Sequence, residues 1–272
     1  MKPIFKYSGG KTKELKRIKE ILPKEINRVI EPFAGGAAVS FYLEKPSILC
    51  DIRANNIVTY RAVRDNFKEV SDYLETIKSI QDIKELEKVF YYQRDQKFRT
   101  EDPIEVAQRW IVLRQLCFSG MDRINKGDGK FSVPFGWYKK FQTALSKDHQ
   151  NFLKNCDLIL GDWKEAFDKG IEDDFIFLDP PYYNRNSEYG GDYEDSEKLH
   201  IDIAERFKSS PSNCMMIHVD CPLYRELYEG YPTITRDHTY SQNFKGRDNT
   251  NQKVSHLYIT NYEVSLKNSP LF

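Results

Sequence analysis

Short apolar runs, each closed by an acidic or glycine-rich turn, punctuate this chain and predict the strands of a sheet covered on both faces. Phe175-Ile176-Phe177-Leu178 is the plainest, with Asp179 at its carboxyl end. A run without polar alternation suits a strand buried on both sides. Ser47-Ile48-Leu49-Cys50 ends likewise at Asp51-Ile52, and Asp157-Leu158-Ile159-Leu160 at Gly161-Asp162. Residues 28–33, 214–220 and 254–261 predict further strands. Helical spacing takes over elsewhere. Leu15, Ile18, Ile21 and Leu22 share one face of a segment that Pro23 ends. A short helix runs through 40–44, and longer ones are expected over 57–76, 82–98 and 103–118, the last opening at Asp102-Pro103.

The order of these elements sets the fold class. Strand 28–33, the turn Ala34-Gly35-Gly36-Ala37-Ala38, a helix and strand 47–50 form the first unit of a doubly wound α/β sheet that binds nucleotides. The glycine spacing is not G-x-G-x-x-G, so the unit need not hold a pyrophosphate. Gly10-Lys11-Thr12 looks like the end of a P-loop, but Phe5 stands where that motif requires glycine, and the triphosphate reading fails. Between Asn55 and about Asn155 helices and a polar stretch replace the strand pattern. The sheet is therefore expected from 1–55 and 156–272, with an insertion at 56–155.

Composition narrows the classes. The 272 residues carry 30% charged and 40% hydrophobic side chains, as a soluble globular chain does. No apolar run approaches the roughly 20 residues of a membrane span, and the N-terminus lacks the apolar core of a signal peptide. Five scattered cysteines without a C-x-x-C pair read as reduced thiols of a cytosolic protein. The histidines show no metal-ligand spacing, so no metal is expected, and His218 reads as a strand residue. Lys plus Arg equals Asp plus Glu at 41 each, so any nucleic-acid contact must come from a local patch.

Three stretches carry candidate chemistry. In Asp179-Pro180-Pro181-Tyr182-Tyr183 a carboxylate, a rigid carbonyl and a flat ring suit a planar amino group. The plain alternative is a proline turn with Asp179 as a solvated cap. Asp51 lies about 15 residues beyond Gly36, at a strand tip where a carboxylate can take ribose hydroxyls; an ordinary βαβ unit would look the same. Gly127-Asp128-Gly129 suggests a hairpin. Around it Arg123, Lys126, Lys130, Lys139 and Lys140 interleave with Phe131, Phe135, Trp137, Tyr138 and Phe141, as fits a DNA groove or a solvated loop over a small aromatic core. Two polar loops, 184–194 and 240–251, complete the reading, the first expected beside the site.

Together these motifs resemble the Dam-type family of N6-adenine DNA methyltransferases. The matching residues are Tyr7-Ser8-Gly9-Gly10-Lys11, Glu31-Pro32-Phe33-Ala34-Gly35-Gly36, Asp51-Ile52, Phe118-Ser119 through Arg123-Ile124-Asn125, Pro134-Phe135-Gly136 and Asp179-Pro180-Pro181-Tyr182, with 254–261 as the closing strand. The resemblance implies a Rossmann-like sheet with an inserted helical and hairpin DNA-recognition domain. It implies S-adenosylmethionine held by Tyr7, Lys11, Phe33, Ala34, Gly35, Gly36, Asp51, Ile52 and Asp179, with Asp162 carried over weakly. It further implies catalysis by Asp179, Pro180 and Tyr182, and double-stranded DNA met by Arg123, Asn125, Lys126, Lys130, Pro134, Tyr138, Lys139 and Lys140. No membrane and no obligate protein partner are implied, and the location is cytoplasmic, on the nucleoid of a prokaryotic or viral system.

Two departures stand out. The family often has tryptophan where Tyr7 stands, and relatives that read GATC tend to carry an arginine where this chain has Trp137. GATC is thus one candidate site among several. A cytosine-C5 methylase is excluded, because it needs a cysteine after a proline and Cys221 precedes Pro222. RNA and protein-glutamine methylases usually carry Asn-Pro-Pro and lack the insertion. A purely DNA-binding module would have no use for the acids at the strand tips.

Overall fold

The computed structural model describes residues 1–95, 102–125, 130–183, 196–240 and 252–264. Among these, seven strands form one sheet: β1 (Arg28–Glu31), β2 (Ser47–Asp51), β3 (Cys156–Leu160), β4 (Asp174–Leu178), β5 (Asn213–Val219), β6 (Thr233–Tyr240) and β7 (Gln252–Thr260). Their order is β3-β2-β1-β4-β5-β7-β6. The first five in that order run parallel, and β7 enters antiparallel to both β5 and β6. The strand order reverses between the parallel neighbours β1 and β4, which makes their carboxyl ends the switch point of the sheet.

Alternation along each strand divides the core into two layers. Ile30, Ile48, Ile176, Leu178, Cys214 and Met216 face one side and pack under α8 (Trp163–Phe167), α9 (Ser196–Ser209) and α10 (Pro222–Leu227). Val29, Phe175, Phe177, Met215 and Ile217 face the other, against Ile18 of α1 (Leu15–Glu20) and Val39 of α2 (Ala38–Leu43). Both faces are covered, so these strands read as unbroken apolar runs rather than as alternating ones. β1 stops at Glu31 rather than running on to Phe33. Pro32 has no N–H to give a ladder, and the chain turns there, with Ala34 N donating to Cys50 O at 2.8 Å.

Helices α3 (Ala54–Asp65), α4 (Phe67–Lys78), α5 (Ile83–Asp95), α6 (Pro103–Leu116) and α7 (Lys147–Leu153) lie between β2 and β3. The single helix expected over 57–76 is two. Asn66 leaves the helical region (φ −126°, ψ 42°), closing α3 through Ala62 O and opening α4 through Val70 N. Ile57, Tyr60 and Val63 stay in phase with Val70, Leu74 and Ile77 across the break, so periodicity alone hides it. α6 begins as expected, with the Asp102 carboxylate accepting from Ile104 N at 2.8 Å. After α6, Ile124 faces Phe131 and Cys117 faces Phe135 across antiparallel bridges. The turn expected at Gly127-Asp128-Gly129 lies outside the described residues, as do the loop expected at 184–194 and the last residues of the helix expected to reach 98; of the loop expected at 240–251 only Tyr240 is described, and it ends β6.

This inserted stretch has no separate core. Trp110 of α6 meets Phe5 and Phe131 edge-on, Phe5 stacks on Tyr60 of α3, and one apolar cluster runs from Phe90 and Phe135 to Phe41 and Leu49 of the sheet layer. No helix among the described residues is long and apolar enough to cross a membrane. Trp110 is fully buried, and its Nε1 donates to Asn56 Oδ1 at 3.0 Å. Trp110→Ala should lower stability by about 3–5 kcal/mol, the usual cost of emptying a large aromatic site. Because the core is continuous, fluorescence and far-ultraviolet dichroism should report one coincident unfolding transition. Two separate transitions would refute the continuity argument.

Candidate active site

Five segments converge at the carboxyl ends of β1, β2, β3 and β4 and line one cavity: Tyr7 to Lys11, the turn after β1, Asp51 to Arg53, Gly161 with Trp163, and Asp179 to Tyr182. The expected cofactor residues Tyr7, Lys11, Phe33, Ala34, Gly35, Gly36, Asp51 and Ile52 all border it, as do Asp179, Pro180 and Tyr182. Asp162 does not. Its exposed carboxylate caps α8, accepting from Lys164 N at 2.9 Å in a capping box with Glu165. The neighbouring Trp163 lines the cavity instead, stacked on Phe33 with centroids 5.7 Å apart.

The turn after β1 is held by contacts that only glycine permits. Gly35 has φ +48°, and a Cβ there would fall 2.7 Å from Tyr7 Cε1, so the tyrosine ring lies directly on the backbone. Gly35 N donates to Asp51 Oδ2 at 2.8 Å, and Tyr60 Oη donates to Gly35 O at 2.6 Å. Asp51 also accepts from Asn56 Nδ2 on Oδ2 and from Arg53 N on Oδ1. Burial pushes this carboxyl above its ordinary range, and those hydrogen bonds oppose the push. A carboxylate offers about four lone-pair directions, so three protein donors leave Oδ1 able to accept from a ligand.

Asp179 is placed differently. Lys11 Nζ lies 2.6 and 2.7 Å from its two oxygens, 2.8 Å from Gly9 O and 3.4 Å from Tyr182 Oη. Burial raises the Asp179 carboxyl, and the Lys11 charge opposes that shift. Lys11 therefore serves as counter-ion to the strand-tip acid, a role that its place in the glycine segment did not announce. Behind it, Glu14 Oε2 accepts from His256 Nδ1 at 2.9 Å and from the Tyr258 hydroxyl. Burial alone would raise Glu14, but the His256 hydrogen bond and the Lys11 charge outweigh it and bring its carboxyl down to about 2.

His218 has more to do than fill a strand. Its Nδ1 lies 2.8 Å from Val219 O and carries the proton, so Nε2 accepts from Tyr183 N at 3.0 Å. Burial drives its pKa down to about 3, which keeps the ring neutral and this acceptor intact. The ring stacks on Tyr224 at 3.7 Å and meets Tyr182 edge-on at 5.0 Å, so it fixes both the backbone and the ring of the Pro-Pro-Tyr-Tyr segment. Arg53 and Trp163, which also face the cavity, were not singled out by the sequence either, and Glu31, which faces it too, entered only as part of a matching motif with no role of its own. Among the described residues no group of three or more His, Cys, Asp or Glu is arranged to hold a metal.

The basic and aromatic stretch divides. Phe131, Val133 and Phe135 are buried while Ser132 and Pro134 are exposed, a period of two that turns the phenylalanines into the core. Those rings, with buried Phe141, are packing residues and not groove contacts. Arg123, Asn125, Pro134, Lys139 and Lys140 are exposed, and Lys130 and Tyr138 half-buried, the tyrosine ring lying 3.5 Å under Lys6 Nζ. Lys126 lies outside the described residues. Trp137, 63% exposed at φ +55°, is the large ring left facing solvent.

Glu31 gives the site a titration near neutrality. Burial, with a smaller push from Asp179, raises its carboxyl from 4.5 to about 7 against the Ser40 hydrogen bonds. The folded state thus holds this proton more tightly than the unfolded chain. The resulting stability is full below the unfolded value and is lost as pH rises through about 7. Glu31→Gln keeps an acceptor for Ser40 N and cannot ionise, so its stability relative to wild type should rise between about pH 5 and about pH 8. Denaturant midpoints at a series of pH values measure this, and a constant difference would show that Glu31 does not titrate there.

Comparison with known proteins agrees with this geometry. The model of the D12 class N6 adenine-specific DNA methyltransferases matches residues 7–242. Type II methyltransferase M.CviBI of Paramecium bursaria Chlorella virus NC1A is 35% identical over 276 residues, spanning 96% of this chain and 100% of that protein. Type II methyltransferase M.MjaIII of Methanocaldococcus jannaschii is 30% identical over 96% of this chain and 99% of its own length. The DNA adenine methylase of Salmonella typhi is 26% identical over 83% and 84%. With the match covering the glycine turn, both strand-tip acids and the Asp-Pro-Pro-Tyr segment, the chain belongs to the D12 class of N6 adenine-specific DNA methyltransferases.

Proposed function

We propose that this enzyme transfers the methyl group of S-adenosylmethionine to N6 of an adenine flipped out of a short duplex DNA site, GATC being one candidate. The observation that carries the reading is the meeting of Asp179, Pro180 and Tyr182 with the Asp51-pinned glycine turn in one cavity. The residues present fit the cofactor. Gly35 and Gly36 admit the Tyr7 side chain against the turn, Asp51 Oδ1 keeps a direction for a ribose hydroxyl, and Phe33 and Trp163 offer ring faces. Glu31 and Asp179 put anionic oxygens around a cationic ligand. When bound, S-adenosylmethionine supplies an activated methyl on a sulfonium.

The chain's own groups prepare the acceptor. An exocyclic adenine amine is a poor nucleophile because its lone pair is delocalised into the ring. Asp179 and the Pro180 carbonyl accept its two hydrogens and localise that pair, a charge-stabilising arrangement fixed before reaction. Tyr182 stacks on the base and repays part of the few kcal/mol spent in unstacking it. Lys11 Nζ holds both Asp179 oxygens together with Gly9 O and Tyr182 Oη, so the amine displaces it from one Asp179 oxygen while the remaining contacts keep the ammonium paired. We assign 56–155 to target recognition, with Arg123 and Asn125 at base edges and Lys126, Lys130, Lys139 and Lys140 on phosphates, flanked by Pro134 and Tyr138. The full-length likeness to type II methyltransferases supports a modification enzyme paired with a nuclease.

Purified protein with labelled S-adenosylmethionine and duplex DNA tests the reading, with base-resolved sequencing of the product. Asp179→Ala should still fold, at a cost in stability because the buried Lys11 ammonium loses its counter-ion, and should lose at least about a hundredfold in turnover, the scale of removing one preorganised catalytic group. Near-normal transfer by that variant, or a methyl found on cytosine, would sink the assignment.

Base reading and phosphate holding predict different phenotypes. Arg123→Ala should relax choice at one base pair, by about 1–3 kcal/mol of discrimination. Lys139→Ala should weaken all duplexes alike and lower the salt dependence. Methylation rates on single-base variants of the true site separate the two, and an Arg123→Ala enzyme slowed equally on every sequence would make Arg123 a backbone clamp.

A further inference from the structure

A row of alternating charges runs beneath the cavity. Asp51, at the tip of β2, accepts from the backbone of Arg53. The Arg53 guanidinium reaches Asp122, Nε to Oδ2 2.9 Å, and Asp122 in turn faces Arg114 Nη1 at 3.6 Å. Arg114 lies 4.7 Å over the Tyr7 ring, which rests on Gly35, and its Nε donates to Lys6 O at 3.0 Å. The row thus leaves the cavity wall at Asp51 and Arg53 and returns to it at Tyr7. Asp122 is the anion in the middle, its side chain 1% exposed, and Arg123 is the next residue.

This cluster is held by charge and not by well-directed hydrogen bonds. Both Asp122 carboxylate oxygens and both terminal nitrogens of Arg114 are buried without a hydrogen-bond partner among the described residues. A half-satisfied buried network is costly, and such groups in a native structure call for an explanation. One that fits is a geometry that tightens when a neighbouring group moves.

We propose that Asp122 is a positioning residue that couples cofactor binding to DNA reading. The inference rests on the methyltransferase reading above. A ligand donating to Asp51 and lying against Tyr7 shifts Arg53 and Arg114 together. Asp122 is drawn in between them and carries Arg123 with it. By linkage, the factor by which cofactor tightens DNA must equal the factor by which DNA tightens cofactor. The neutral isostere Asp122→Asn keeps the shape and removes the charge that both cations answer to.

The test is a thermodynamic box using S-adenosylhomocysteine and a short duplex bearing the methylated sequence. Wild type should bind the duplex at least about fivefold tighter with S-adenosylhomocysteine than without, within the usual range of coupled sites. In Asp122→Asn that ratio should fall close to one. A variant that weakens both ligands but keeps the ratio would show a merely structural role and overturn the proposal, as would a wild-type ratio of one. If Asp122→Asn fails to fold by circular dichroism, Asp122→Glu is read in the same way. Its longer side chain misplaces the charge, and an undiminished ratio again overturns the idea. Wild type that neither binds S-adenosylhomocysteine nor methylates DNA would instead refute the methyltransferase reading, and the two failures are distinct.

Discussion

A carboxylate buried at the end of a strand must be given donors or a counter-cation, because desolvation costs several kcal/mol per ion even after relaxation. Asp51 and Asp179 meet this constraint in opposite ways. Asp51 is surrounded by Gly35 N, Arg53 N and Asn56 Nδ2. Hydrogen bonds to a charged group contribute about 1.5–3 kcal/mol each, so three of them offset part of the burial, and they tie the glycine turn to the sheet in doing so. Asp179 has one flexible partner, the Lys11 ammonium, across both oxygens. The first acid is built into the scaffold. The second keeps its acceptor lone pairs under a single side-chain ammonium.

The same contrast explains what lies behind the site. His218 is held neutral by burial and accepts from Tyr183 N, so the segment after Pro181 does not depend on the protonation of that ring at any ordinary pH. Glu14 is held ionised by His256, Lys11 and Tyr258. With both fixed, the charge state around Asp179 is set by Lys11 and Glu31 alone among the groups just described, and Glu31 titrates near neutrality. A cation entering this cavity would favour the ionised form of Glu31.

Much of this was legible because strand ends are local features. Asp51 and Asp179 stand directly after apolar runs, and the turn at Gly35 lies between a strand and a helix in the sequence itself. Sequence order could not show that Lys11 meets Asp179 across 168 residues or that Glu14 meets His256 across 242. Those pairs are created by the order of strands in the sheet, which brings β7 beside β5 and the N-terminal turn over β4. The break at Asn66 was hidden because the apolar stripe keeps its phase through it. The phenylalanines at 131 and 135 were a different case. Their two-residue period with Val133 is present in the sequence, where the interleaved lysines leave a groove and a small aromatic core equally open, and burial decides for the core.

The continuous core gives the charge row its leverage. Trp110 packs on Phe5 and donates to Asn56, whose amide nitrogen holds Asp51. Phe131, which meets the same indole, pairs with Ile124 just beyond Arg123. A rigid apolar layer therefore fixes both ends of the segment that carries Asp122. Close-packed interiors pass small displacements on without absorbing them. A shift of Arg53 at the cavity wall is then felt at Arg123 through a short, stiff path, and the freedom that remains lies in the buried, under-bonded charges between them.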